Sequence, residues 1–408
     1  MKKTRLKKYA ELIVKMGINV QKGQDVIINC GLDQPEFVKM VVDYCYKFGA
    51  RKVTVDWYYQ PLDKLHNRYC SIKTLASVEK WQLEKWQHRV DTLPAILFID
   101  SDNPDGLKGI NEEKSAKARM KSYPLIKPFR DAMENKYQWC IAAVPGKEWA
   151  KKIFPNLSTA KAMEKLWEAI LYTARVDEDP IKAWELHNKD LADRCAYLNS
   201  LHLKNLYYKS NNGTNFRVGL LPNALFMGGE EVTLDRNIHF NPNIPSEECF
   251  TSPRKGDIEG VVYASKPLSY NGQLIENFWF KFENGRVTEV HAEKGEEVLR
   301  HMVKMDDGAS MLGEVALIPH KSPISDLNIL FYNTLFDENA SCHLALGTGF
   351  TNAIKDFEKY TNEELHEMGI NESMIHVDFM IGNKDLSIVG ETMSGEKIQI
   401  FKDGNWAF

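Results

Sequence analysis

The sequence lacks the features that mark several classes of protein. No apolar run approaches the ~20 residues of a membrane-spanning helix, and no apolar segment follows the basic N-terminus, so neither a membrane span nor a secretory signal is expected. A net charge of -4 over 408 residues gives no overall basic field, so binding to nucleic acid or anionic membrane is not expected. The seven cysteines include no C-x-x-C pair, which indicates free thiols in a reducing cytoplasm.

Familiar catalytic motifs are missing as well. The chain has neither a G-x-S-x-G elbow nor an H-E-x-x-H helix, which argues against a serine hydrolase and a one-zinc protease. The segment after the first predicted strand has no G-x-G-x-x-G or phosphate-binding loop. An enzyme that binds a nucleotide cofactor in its first domain is therefore the least favoured hypothesis, and this domain is expected to supply scaffold or dimer contacts.

The first half of the chain alternates strands and helices. Asp25–Cys30 and Lys52–Trp57 are predicted strands, and between them lies a helix predicted to be capped by Asp33, with Pro35 in its first turn. A strand, helix and strand of this length form a βαβ unit with parallel strands. Further predicted strands span residues 95–100 and 138–144. Residues 1–200 are therefore predicted to form an α/β domain with a largely parallel sheet.

Beyond residue 200 the pattern changes to short strands rich in aromatic and β-branched residues. The turns between them carry the Asn-Gly pairs at 212–213, 271–272 and 284–285, which favour β-hairpins. Predicted strands span residues 203–208, 216–220, 260–264, 278–282 and 287–292. Residues 201–408 are predicted to form an α+β domain rich in antiparallel strands, which carries the site described next.

Four motifs in the second half contain acidic or imidazole side chains. They are NIPSEECFTSP (243–253) with Glu248, GEVALIP (313–319) with Glu314, DENASCHLALG (337–347) with Glu338 and His343, and HVDFMIG (376–382) with His376 and Asp378. Each motif alone has an ordinary structural explanation: a turn cap, a buried salt bridge or a core histidine. Glu314, however, is the single charge in an apolar run, and a buried carboxylate needs a cation or several hydrogen bonds.

Together the four motifs supply the ligands that a hydrolytic pair of divalent metals needs. In a strand, residues i and i+2 point to one side, so His376 and Asp378 would face a single site. Mixed carboxylate and imidazole sites suit Zn²⁺, Co²⁺, Mn²⁺ or Fe²⁺. Cys249 and Cys342 lie inside the motifs and are either packing residues or further ligands.

These motifs, in this order, resemble those of the thermophilic metalloprotease family of aminopeptidases, M29. The N-terminal segment LKKYAELIVKMGINVQKGQDVIIN (6–29) is also similar, so the resemblance extends over nearly the whole chain. The resemblance implies a cytoplasmic, homodimeric metalloaminopeptidase with two domains. It would release N-terminal amino acids from peptides with a free N-terminus by attack of a water molecule activated by two metals.

The resemblance also assigns the site residues. Two divalent cations per subunit, Zn²⁺, Co²⁺, Mn²⁺ or Mg²⁺, would be held by Glu248, Glu314, Glu338, His343, His376 and Asp378. Glu314, as a bridging carboxylate, and Glu338 are the predicted catalytic residues. The general base is expected among these acids, with Glu247 as an outside candidate.

One position departs from the family pattern. The family commonly has a tyrosine seven residues after the motif histidine, and this chain has Phe350 there. A hydroxyl that could bind a metal or donate to an oxyanion is therefore missing. The alternative hypothesis is a weakly active or non-catalytic relative that binds metal or peptide.

Overall fold

The computed structural model describes residues 3–408. These fold into two compact units. The first unit takes the chain up to Leu186 together with Glu230–Pro245, and the second takes His187–Gly229 and Ser246–Phe408. Segment 230–245 thus belongs to the first unit although it follows residue 200. The separate roles predicted for residues 1–200 and 201–408 stay predictions.

A parallel sheet forms the centre of the first unit, as predicted from the sequence. Its strands run in the order β2-β1-β3-β4-β9, and every pairing is parallel. Their bounds are β1 (Asp25–Cys30), β2 (Lys52–Trp57), β3 (Ala95–Asp100), β4 (Trp139–Ala143) and β9 (Asn243–Ile244). The central strands β1 and β3 are almost continuously apolar and buried, because helices cover both faces of a parallel sheet.

The helices of the first unit pack onto this sheet through aromatic side chains. Tyr9 stacks on Phe37 at 5.4 Å between ring centroids, and Phe37 meets Trp167 edge-on at 5.5 Å. The Tyr9 hydroxyl donates to the Ala143 carbonyl at 3.0 Å, which ties the first helix to β4. The helices are α1 (Lys3–Leu12), α2 (Pro35–Lys47), α3 (Pro61–Tyr69), α4 (Ile72–Ala76), α5 (Lys80–Thr92), α6 (Glu112–Met133), α7 (Lys147–Ile153), α8 (Thr159–Thr173) and α9 (Pro180–Ser200), which continues into the second unit.

The predicted cap of α2 is wrong. The N-cap residue is Gln34, with no capping hydrogen bond from its side chain, and Pro35 stands in the first turn as expected. The Asp33 carboxylate instead accepts a hydrogen bond from the Ser101 hydroxyl at 2.9 Å. Ser101 follows β3 directly, so the donor that occupies Asp33 comes from a neighbouring strand that is distant in sequence.

An antiparallel sheet of nine strands dominates the second unit and confirms the predicted fold class. Its order is β12-β13-β11-β6-β5-β18-β19-β20, with β14 paired to β13. Asn271-Gly272 and Asn284-Gly285 form the predicted hairpin turns, with positive φ at both residues of each pair. The strands are β5 (Leu203–Lys209), β6 (Asn215–Leu220), β11 (Pro253–Tyr263), β12 (Leu268–Tyr270), β13 (Gln273–Glu283), β14 (Arg286–Lys294), β18 (Ser387–Thr392), β19 (Lys397–Lys402) and β20 (Asn405–Trp406).

A second antiparallel sheet, of four strands, carries the motifs. Its order is β10-β15-β16-β17, with bounds β10 (Cys249–Thr251), β15 (Leu312–Leu317), β16 (His343–Gly347) and β17 (His376–Met380). The remaining strands are the pair β7 (Glu231–Val232) and β8 (His239–Phe240), and the remaining α-helices are α10 (Glu296–Met302), α11 (Pro323–Asp326), α12 (Thr334–Glu338) and α13 (Asn362–Met368). Within residues 3–408, no helix combines the length and apolar character needed to cross a bilayer.

Candidate metal centre

The two faces of the four-stranded sheet have different chemistry. Alternate residues such as Val315, Leu344 and Phe379 belong to the hydrophobic core of the second unit. The residues between them, including Glu314, His343 and Asp378, lie outside that core cluster although they are buried. Because side chains alternate along a strand, one face of the sheet is fixed by packing and the other carries the polar groups.

The strand register leaves space between these polar groups. Ala345 of β16 pairs with Glu314 on one side and with Asp378 on the other, so only a methyl group stands between the two acids. His343 pairs with Ala316, and His376 pairs with Gly347. The small residues beside Glu314, His376 and Asp378 keep this part of the face open, whereas His343 has Met380 as its partner on the other side.

Candidate ligand atoms meet there in two groups of three residues. One group is Glu248, Glu314 and His343, and the other is Glu314, His376 and Asp378, with the ligand atoms of each group within 4.8 Å of one another. Glu314 belongs to both groups. Its Oε1 lies 3.9 Å from His343 Nε2, and its Oε2 lies 3.0 Å from His376 Nε2.

Both imidazoles are held by backbone carbonyls. His343 Nδ1 lies 2.9 Å from the Glu338 carbonyl oxygen, and His376 Nδ1 lies 2.9 Å from that of Thr348. A carbonyl only accepts hydrogen bonds, so each Nδ1 carries the proton that it donates. The Nε2 atom of a neutral ring then presents its lone pair to the site, as a metal-ligating histidine requires.

Glu338 approaches the same site from the end of α12 but lies outside both groups of three. Burial, together with the negative charges of Asp378, Glu248 and Glu314, raises the pKa of Glu338 well above its usual range. The carboxyl group of Glu338 also hydrogen-bonds to Asp378. Glu338 thus retains a proton more readily than an exposed glutamate does.

Asn339, which the sequence reasoning missed, positions Glu338. Its side chain is fully buried, and its Oδ1 accepts a hydrogen bond from the Glu247 backbone N–H at 2.8 Å. Its Nδ2 donates to the Leu335 carbonyl at 3.0 Å and to Glu338 Oε1 at 3.3 Å. Asn339 therefore joins the first motif to the third. The sequence did contain one indication of this role, because Asn339 directly follows the candidate ligand Glu338.

The surroundings of His376 and Asp378 favour a positive charge on the imidazole and a negative charge on the carboxylate. Burial opposes a charge on the imidazole, but Asp378 and Glu314 outweigh it and raise the pKa of His376. Burial likewise favours a neutral Asp378, yet His376 and His343 lower the pKa of Asp378 to about 2. A proton on His376 thus balances part of the negative charge of the cluster.

The other candidates in the motifs lie apart from the two ligand groups. Cys249 and Cys342 are both buried in the hydrophobic core, so they pack rather than face the candidate ligands. Glu247, the outside candidate for a general base, belongs to neither group, and its Oε2 lies 3.8 Å from His187 Nε2. The structure therefore places five of the six predicted ligands in the two groups, with Glu338 beside them, and leaves Cys249, Cys342 and Glu247 outside both groups.

Phe350 stands at the edge of the site. Its ring centroid lies 5.2 Å from that of His376 and 5.0 Å from that of Phe250. Its backbone N–H donates to the Ser252 hydroxyl at 2.7 Å, which fixes the chain at this point. Phe350, where the resemblance led us to expect a tyrosine, is thus in ring contact with a candidate ligand, and its side chain has no hydrogen-bonding group.

Comparison with known proteins identifies the family. The family model described as thermophilic metalloprotease (M29) matches residues 2–406. The chain belongs to this family. A metalloprotease hydrolyses peptide bonds and depends on a metal, so the predicted enzyme class is confirmed.

Individual relatives of the M29 family match over their whole length. Aminopeptidase AmpS of Bacillus subtilis is 40% identical over 406 residues, which cover 99% of this chain and 98% of that protein. Aminopeptidase T of Thermus thermophilus is 37% identical over 406 residues, with the same coverage. The solved structure of wild-type AmpT from Thermus thermophilus superposes with a TM-score of 0.89 at 35% identity, covering 100% of both chains.

The residues of this M29 chain fit the divalent cations that its family implies. Glu248, Glu314 and Asp378 are each at most 7% exposed, and Glu338 lies against them. For Glu314 and Asp378, the ion pairs in the structure are with the two imidazoles. Burying several carboxylates without cations to balance their charge is unfavourable in free energy. Oxygen and imidazole donors around one shared carboxylate are ligands that divalent metals accept.

Proposed function

We propose that the protein is an aminopeptidase with two divalent cations bound on the polar face of the four-stranded sheet. The observation that carries the proposal is the position of Glu314 between His343 and His376, where each carboxylate oxygen faces a different imidazole. Glu314 with Glu248 and His343 would hold one cation. Glu314 with His376 and Asp378 would hold the other, and Glu338 would complete the set.

The side chains of the cluster suit peptide hydrolysis. Bound divalent cations would supply acidity to a water molecule and polarisation to the scissile carbonyl. With cations bound beside it, Glu338 would be ionised and could accept a proton from that water and return it to the leaving amine. The free α-amine of a substrate could bind one of the cations or an acid of the site, which an acylated amine could not do. Such binding favours cleavage after the first residue.

We expect acetylation of the substrate amine to abolish most of the activity. Leucine p-nitroanilide should be hydrolysed with a kcat/KM on the order of 100-fold higher than N-acetyl-leucine p-nitroanilide, because acetylation removes the free amine that a cation or an acid of the site would bind. Steady-state kinetics of the metal-loaded enzyme measure both substrates. Equal rates for the two anilides, or faster cleavage of internal bonds in a blocked peptide, would contradict the aminopeptidase assignment.

The alternative of a weakly active relative rests on Phe350. Its ring contacts His376 but offers no hydrogen-bond donor. We expect Phe350→Tyr to raise kcat for leucine p-nitroanilide on the order of 10-fold, because a hydroxyl at this edge can donate to a developing oxyanion. Phe350→Leu is the control, since it changes the ring without adding a hydroxyl and should give no increase.

The outcomes of this comparison separate the two hypotheses. A wild-type protein that is inactive on every anilide while Phe350→Tyr is active would favour the weakly active relative. Comparable activity of the wild type and Phe350→Tyr would show that the missing hydroxyl does not limit the rate.

The proposal also includes the compartment, the oligomeric state, the substrates and the cations of the enzyme. We infer a cytoplasmic homodimer that acts on peptides with a free N-terminus, with Zn²⁺, Co²⁺, Mn²⁺ or Mg²⁺ as the cations. The cysteines support a reducing compartment, because all seven are free and six of them are buried.

A further inference from the structure

A basic cleft in the second unit has no part in the chemistry described so far. It has a volume of about 650 Å³. Its lining includes the basic side chains of Lys266, His320 and Lys321, the acid Asp326, and the apolar side chains of Ile329 and Leu330. The two lysines and one aspartate leave an excess of one positive charge when the histidine is neutral.

Lys266 is the unusual member of this lining. Within residues 3–408, its amine is joined to no carboxylate by an ion pair or hydrogen bond. Burial lowers the pKa of Lys266, and the charge of Asp337 opposes this only from a distance. The Asp337 carboxylate already accepts hydrogen bonds from the backbone N–H groups of Phe331 at 2.8 Å and Asn333 at 3.0 Å. A sheltered ammonium without a partner is costly, so an anionic ligand would stabilise it.

The wall of the cleft around His320 and Lys321 is fixed before any ligand binds. The His320 backbone N–H donates to the Gly404 carbonyl at 2.7 Å, and the Lys321 N–H donates to Asn405 Oδ1 at 3.1 Å. These contacts tie the segment to the turn between β19 and β20. The basic groups are therefore carried by ordered backbone, as a ligand site requires.

The cleft borders two of the segments that carry candidate metal ligands. Asp337, whose charge acts on Lys266, immediately precedes Glu338. Ser265, the residue before Lys266, donates its N–H to the Met380 carbonyl at 2.8 Å, two residues after Asp378. An extended peptide spans roughly 3.5 Å per residue. A short extended peptide is therefore the kind of ligand that can connect the two places.

We propose that this cleft binds the C-terminal carboxylate of a short peptide whose amino end lies at the metal centre. The inference rests on the proposed aminopeptidase function and adds a preference for short peptides with a free C-terminus. A carboxylate matches the single excess positive charge. The arginine forks and glycine-rich loops of many phosphate sites are not among the residues that line this cleft, which favours the singly charged carboxylate.

The test compares peptides that differ only in the charge at the C-terminus. For Leu-Gly-Gly and Leu-Gly-Gly-amide, we expect wild-type kcat/KM to favour the free acid about 10-fold, as one charged hydrogen bond warrants. Lys266→Met should reduce this ratio to about 1 by slowing cleavage of the acid alone, and Lys266→Arg should retain the preference. Lys304→Met is the matched control, because it removes an exposed lysine outside the cleft and should leave the ratio unchanged.

Each outcome separates this inference from the proposed function. Hydrolysis of leucine p-nitroanilide with equal rates for acid and amide, in peptides from two to five residues, would overturn the inference and leave the function intact. A preference that depends on Lys266 for Leu-Gly-Glu-amide, but not for Leu-Gly-Gly, would overturn the assignment to the C-terminus.

Binding measurements cover the case in which no substrate is hydrolysed. Calorimetric titration of D-Leu-Gly-Gly and its amide into wild-type protein and Lys266→Met then measures the affinity of the cleft for each peptide. Tighter binding of the acid that is lost in Lys266→Met supports the inference. Equal binding of acid and amide contradicts it.

Discussion

Glu314→Gln is expected to lower kcat for amino-acid p-nitroanilides at least about 1,000-fold. Glu314 is the one residue shared by both candidate ligand groups, so the change weakens both cation sites at once. Loss of several kcal/mol of electrostatic stabilisation in the transition state corresponds to about three powers of ten in rate. Glutamine has nearly the same volume, and its amide oxygen can still accept a hydrogen bond from His376.

The control for this variant is Glu367→Gln, which makes the same chemical change at an exposed position in α13. Circular dichroism and the melting temperature of the metal-free proteins should show that Glu314→Gln remains folded. Full activity of a folded Glu314→Gln enzyme would remove Glu314 from the catalytic machinery. Recovery of activity at high metal concentration would indicate that the carboxylate acts mainly through metal affinity.

Removal of metal with a chelator is expected to abolish activity and to make stability depend on pH. The folded-state pKa values of Glu338 and His376 are raised. Their contribution to stability is therefore complete below the unfolded values of about 4.3 and 6.5, and it is lost as pH rises through the raised values. Asp378 has a folded pKa of about 2, so its contribution is lost only in acid. The melting temperature of the chelated protein should therefore fall between pH 6 and pH 9.

Metal should reverse this trend, because its ligands must lose their protons to bind it. The rise in melting temperature on adding Zn²⁺ or Mn²⁺ to the chelated protein should be on the order of 5–10 °C and larger at pH 9 than at pH 6. Differential scanning fluorimetry measures both series, and leucine p-nitroanilide reports the return of activity. A metal-induced shift that stays constant or shrinks with rising pH would contradict the picture of protonated ligands. Glu314→Gln should show little of the shift.

Local sequence patterns were enough to predict the two sheet types and several of their strands and turns. The apolar runs of β1 and β3 and the Asn-Gly turns at 271–272 and 284–285 each have a meaning within a few residues of sequence. Strand β9 has only two residues, Asn243–Ile244, and joins the parallel sheet beside β4. A segment this short shows no periodicity, so its return to the first unit could not be read from the sequence.

The site could be predicted as a set of residues but not as an arrangement. The spacing of His376 and Asp378 on one strand follows from the two-residue period of a strand. The meeting of Glu314 with both imidazoles depends on the register of β15, β16 and β17, including an irregularity between Leu312 and Glu314. Register is set by packing between strands that are distant in sequence. The role of Asn339 could not be predicted for the same reason, because its amide contacts the backbone of Glu247, 92 residues away.

The central claim is that Glu248, Glu314, Glu338, His343, His376 and Asp378 surround two divalent cations. Anomalous diffraction from crystals grown with Mn²⁺ or Zn²⁺ tests it most directly. Two peaks per chain roughly 3.5–4 Å apart, on either side of the Glu314 carboxylate, are the predicted result. A single peak would contradict the dinuclear site, and no peak among these six residues in a metal-loaded, active enzyme would contradict the whole assignment.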